Sequence, residues 1–114
     1  MPFQSFGVEE YAVYAVAENT PGYSGIYGYV RLYWQGAQRA TLWFYRDAVS
    51  TIPANSSSGS APNTSYYARF RQAALRDSVD LLRNEKPVFF QWNEASKGAF
   101  LATGQEPVGE QELP

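Results

Sequence analysis

The stretch "YYARFRQAALRDSVDLLRN", residues 66–84, decides the fold. At the helical period of about 3.6 residues, Tyr67, Phe70, Ala74, Leu75, Ser78, Leu81 and Leu82 fall within one arc, with Val79 at its edge. Arg69, Gln72, Arg76, Asp80 and Arg83 lie opposite. This pattern predicts one amphipathic helix over 66–84, laid on a sheet. Thr64 or Ser65 can cap its start, Asn84 can end it in a left-handed turn, and Pro87 cannot continue it. Arg76 and Asp80 are spaced to pair along the helix, and Arg71, inside the apolar arc, can snorkel outward.

Downstream, "PVFFQWN" (87–93) and "AFLAT" (99–103) read as strands joined by the turn "EASKG". Residues 104–114, "GQEPVGEQELP", have little to bury and read as a flexible acidic tail. Upstream, 47–65, "DAVSTIPANSSSGSAPNTS", has no periodicity in its second half and reads as a mobile connection. Before it come three strands: "VEEYAVYAVAE" (8–18), "GIYGYVRLYW" (25–34) and "RATLWFYR" (39–46), with the Pro- and Gly-containing turn "NTPGYSG" between the first two.

The register of the 25–34/39–46 hairpin sets which residues share a face. If Gln35 pairs with Arg39 around Gly36-Ala37-Gln38, Leu32 faces Leu42 and Val30 faces Phe44. The other face then pairs Tyr29 with Tyr45 and Arg31 with Trp43. Pairing Gln35 with Gln38 would instead set Leu32 against Thr41 and break the aliphatic row, so the first register is preferred. The expected fold is thus α+β in a single domain, 1–103, with a five-stranded antiparallel sheet in the order β-β-β-α-β-β. Two architectures use that order: a twisted sheet with the helix on one face, or a small OB-like barrel of the oligonucleotide/oligosaccharide-binding kind.

Composition narrows the chemistry. The chain of 114 residues contains no cysteine and no histidine. Disulfides, thiol chemistry and the commonest general base and metal ligand are therefore excluded. No phosphate loop, G-x-G-x-x-G, nucleophile elbow or HExxH is present. "GYSGIYG" lies between two expected strands, away from any helix N-terminus. Glu9 and Glu10 point to opposite faces of a strand, and Asp77 and Asp80 read as solvated surface. The expectation is a protein that is not an enzyme and takes no cofactor and no metal. No basic start, signal-length apolar run or membrane-length segment occurs, so a soluble cytoplasmic protein with no membrane partner is expected.

The net charge of −2 is unevenly spread. Residues 1–24 hold three Glu and no cation, residues 25–103 hold all nine Lys and Arg against five acids, and residues 104–114 hold three Glu. Seven of the nine cations are Arg, the better partner for rings, phosphate and carboxylate. On the preferred register, Tyr27, Tyr29, Arg31, Tyr33, Trp43 and Tyr45 form one aromatic and cationic sheet face. Arg69, Arg76 and Arg83 form a second basic surface on the outer side of the helix.

Tyr, Trp and Arg are enriched at interface hot spots, so the leading expectation is a binding module that uses this face for a homodimer or another protein. The same face could stack single-stranded nucleic acid, with the acidic tail as competitor. It could also stack a sugar or small-molecule ring. An aromatic barrel followed by an acidic tail resembles, in layout alone, the bacterial and phage single-stranded-DNA-binding proteins, whose tails recruit partners. The tail here ends "EQELP", without the aromatic terminus common in them. With nine cations and an isoelectric point near 5.0, the chain is poor in the charge that dominates nucleic-acid affinity.

Overall fold

The structure, a computed structural model, describes residues 3–104. It contains eight strands and one helix: β1 (Phe3–Gly7), β2 (Glu10–Ala15), β3 (Ile26–Trp34), β4 (Ala37–Tyr45), β5 (Ser56–Ser58), β6 (Ser65–Arg71), α1 (Ala74–Asn84), β7 (Val88–Asn93) and β8 (Gly98–Thr103). The strands form two sheets, β1-β7-β8 and β2-β3-β4-β6-β5. The single five-stranded antiparallel sheet is therefore corrected, and neither sheet closes into a barrel. The molecule is α+β, and no described helix is long and apolar enough to cross a membrane.

The correction begins at residues 66–84. Residues 65–71 form a strand, and only Ala74–Asn84 is helical. In "SYYARFR", Tyr66, Ala68 and Phe70 alternate with Tyr67, Arg69 and Arg71, the two-residue period of a strand. Tyr66 and Ala68 are 4% and 0% exposed, although the helical reading left both outside its apolar arc. β6 lies parallel to β4, pairing Trp43 with Arg69 and Phe44 with Phe70, so the large sheet is mixed. The parallel pairing requires a crossover, which residues 46–64 supply. That segment includes β5, which pairs antiparallel with β6 at the sheet edge. The predicted caps move accordingly: Ala73 is the N-cap without a side-chain bond, and Glu85 leaves the helix in extended backbone.

The β3–β4 hairpin turns on two residues, Gln35 and Gly36, with φ of 54° and 74°. This is the left-handed pair that matches strand twist. Leu32 pairs with Ala40, Val30 with Leu42, Arg31 with Thr41 and Tyr29 with Trp43. Both sequence registers are thereby corrected. Over Gly28–Leu32 the slip from the preferred one is two residues, so those side chains keep their face while changing partner, whereas beyond the Tyr27 bulge Ile26 pairs with Tyr45 and joins its side of the sheet. Two irregularities, between Leu32 and Tyr33 and between Ile26 and Gly28, leave Arg39 and Tyr27 as the extra residues of bulges.

The core lies on one side of the large sheet. Val30, Leu32, Leu42, Phe44 and Ala68 are fully buried there. The small sheet covers part of this face with Phe6, Phe90, Trp92 and Leu101. Phe6 stacks on Trp34 with ring centroids 4.9 Å apart, and Tyr66 meets Trp92 at 5.1 Å. Helix α1 covers another part through Ala74, Leu75, Val79 and Leu82, with Ser78 buried beneath it. Gly28 allows the close approach: a Cβ there would lie 2.8 Å from the Tyr14 carbonyl oxygen and 3.4 Å from Leu75 Cδ2. The opposite side of the large sheet carries neither the helix nor the second sheet. The acidic segment expected as a tail lies, from residue 105 onward, outside the described residues.

Candidate ligand cleft on the aromatic sheet face

The uncovered face of the large sheet is where β3 turns out its tyrosines. Tyr14 of β2 is the cross-strand partner of Tyr29, and their rings stack at 4.5 Å and 11°. Tyr23, from the turn before β3, also stacks with Tyr29, at 5.9 Å and 9°. Trp43 tilts against Tyr29 at 4.8 Å and against Tyr23 at 6.3 Å. Arg31 sets its guanidinium carbon 5.0 Å from the Tyr14 ring and 5.4 Å from the Tyr29 ring. Packed this way, Tyr29 is only 8% exposed. Burial, reinforced by the neighbouring Tyr23 hydroxyl, raises its pKa above the ordinary tyrosine value.

Beside this stack is a cleft of about 610 Å³. Its floor comes from three adjacent strands: Ile26 of β3, Trp43 and Tyr45 of β4, and Tyr67 and Arg69 of β6. One wall is Gly22–Ser24, the other Pro53 and Ser56. Hydrogen bonds fix both walls. Arg46 donates its backbone N–H to the Gly25 carbonyl at 2.8 Å and a guanidinium N–H to the Val16 carbonyl at 2.8 Å. Arg71 donates to the Val49 carbonyl and, at 3.1 Å, to the Ser50 carbonyl. Arg69 donates from Nη1 to the Ala54 carbonyl at 2.6 Å and to Ser56 Oγ at 3.1 Å. The segment expected to be a mobile connection thus contributes β5 and one wall of the cleft.

Of the residues singled out in the sequence, Tyr29, Arg31 and Trp43 come together in the ring cluster, and Trp43 and Tyr45 line the cleft. Tyr33 sits farther along β3, half-buried between Glu10 and Gln38. Tyr27 is 38% exposed, with the Arg46 guanidinium 5.7 Å from its ring. Arg69 is corrected from the outer side of a helix to the cleft floor, one strand from Trp43. Arg76 and Arg83 remain exposed on α1, on the other side of the sheet.

Sequence reasoning missed Tyr14, Tyr23 and Tyr67. Tyr14 belongs to the alternation of its strand and needed only the β2–β3 register. Tyr67 was assigned to a helical core arc, whereas on a strand it faces with Arg69. Tyr23, in a turn, left no periodic signal. Among the described residues, no cluster of three or more Asp and Glu could hold a metal. Compared with protein-family models, with curated proteins and with solved structures, the chain finds no match.

Proposed function

We propose that this protein is a non-enzymatic binding module and that its site is the aromatic cleft, which takes a ring-bearing small ligand by stacking. One observation carries the reading: three neighbouring strands place Trp43, Tyr45, Tyr67 and Arg69 on the floor of an open, shallow cleft of about 610 Å³. That volume suits a small-molecule ligand. The tyrosines nearest the β2 edge are already stacked on one another, which leaves the cleft rings as the ones available.

Trp43 reports on the cleft. Trp34 and Trp92 are 5% and 0% exposed, whereas Trp43 is half-buried in the site. Uridine, oligo-dT and methyl glucoside, titrated separately against intrinsic fluorescence, test the reading. Saturable change with uridine or the glucoside, absent in Trp43→Phe, supports it. Change with oligo-dT alone, falling steeply with salt, would transfer the site to single-stranded nucleic acid.

A second reading, self-association, rests on β2. This edge strand, EYAVYA, carries one charge and exposes Val13 at 45% and Tyr14 at 36%. Edges with so few charges invite pairing with another chain. Light scattering would show a dimer that Ala12→Lys dissociates; a monomer at all concentrations would contradict it.

A further inference from the structure

We propose that the ligand of the cleft is a planar ring carrying an oxyanion, carboxylate or phosphate, and that the Arg69 guanidinium receives the anion. The inference rests on the cleft being a ligand site. Its own ground is the state of the Arg69 guanidinium.

A guanidinium offers five N–H donors in a fixed plane. Those of Nη1 are engaged by the Ala54 carbonyl and Ser56 Oγ, which fixes the plane against the wall. Nε is buried and has no hydrogen-bond partner, and no described residue accepts from Nη2. The guanidinium thus keeps its charge and donors that no described residue uses, and such a group pairs with an oxygen of a carboxylate or phosphate. No acidic residue lines the cleft. The ion pairs among the described residues are Arg46 with Glu18 and Lys97 with Glu94, so no described carboxylate compensates Arg69. Position completes the argument. Trp43 and Arg69 are register partners on adjacent strands. Both line the cleft, so one ligand can meet the Trp43 ring and reach the Arg69 side chain with an anionic substituent.

Nucleotides and aromatic carboxylates share this chemistry, and two matched pairs distinguish them: uridine 5′-monophosphate against uridine, and 4-hydroxybenzoate against 4-hydroxybenzamide. Calorimetric titration of the full chain should show at least one anion binding about tenfold or more tighter than its neutral counterpart, as a charge-assisted contact implies. The pair with the larger gap names the source. Arg69→Gln should abolish the gap, the anion then binding no tighter than its neutral counterpart, since a stacked ring does not need the charge. Ser56→Ala, which removes one wall contact and no charge, should preserve the gap.

Equal binding of anion and neutral would overturn the inference and leave the cleft as a site for neutral rings. So would an Arg69→Gln variant that keeps the gap, which would leave Arg69 only its role as a brace of the wall. Binding of neither member of either pair would overturn both the inference and the cleft reading.

Discussion

At the scale of single residues, Gly28 and Tyr29 test how the uncovered and core faces are built. A Cβ at Gly28 would lie 2.8 Å from the Tyr14 carbonyl oxygen, which is backbone and cannot swing aside. Gly28→Ala should destabilise by about 1–3 kcal/mol in urea denaturation, because β2 must shift from β3. Tyr29 sets a pH dependence. Its folded pKa is raised by burial, so the fold favours the neutral hydroxyl. The stability from that hydroxyl is fully present below the unfolded tyrosine value, about 10, and is lost as pH rises through the higher folded value. The urea midpoint should therefore fall on going above about pH 10, and fall less in Tyr29→Phe.

At the scale of elements, the hairpin and the 65–84 segment show what was legible. The β3 faces could be read from the alternation of Tyr29, Arg31 and Tyr33 with Val30, Leu32 and Trp34, and a register error of two residues left them intact. The turn itself was misread as three residues long, because Ala37-Gln38-Arg39 carries a bulge that sequence alternation does not mark. Gln35 stands at φ 54°, where Asn is better tolerated, and Gly36 at φ 74°. Gln35→Asn should stabilise by a few tenths of a kcal/mol, and Gly36→Ala should cost about 1–2 kcal/mol, both read by urea denaturation.

Residues 66–84 misled for a physical reason. Tyr67 and Phe70 lie three apart and fit a helical arc, but Tyr66, Ala68 and Phe70 fit a strand face equally well. Only pairing with β4 decides between them. Once that pairing turns Arg69 away from a helix and onto the sheet, the cleft acquires its cation. β1 was missed because "FQSFG" has only Phe6 to bury, and its place depends on β7.

At the scale of the whole molecule, two sheets and a helix share one core on one side of the large sheet, leaving the other side to the aromatic cluster and cleft. Trp92 belongs to the small sheet yet packs against Tyr66 of the large one. Trp92→Ala should therefore lower the stability of both sheets together, by about 3–5 kcal/mol, with far-ultraviolet and Trp43 signals moving at one urea midpoint. Separate midpoints would mean that the sheets fold independently.

The central claim is that the side without helix or second sheet binds a ring in a formed cleft. Amide and indole chemical-shift mapping on the full chain, titrated with uridine 5′-monophosphate, 4-hydroxybenzoate and their neutral counterparts, tests it most directly. Saturable shifts with at least one ligand, confined to Tyr23, Trp43, Tyr45, Tyr67, Arg69 and the 53–56 wall, are the predicted result. No saturable shift with any of the four, or shifts centred on α1 or on the outer face around Phe100, would contradict it.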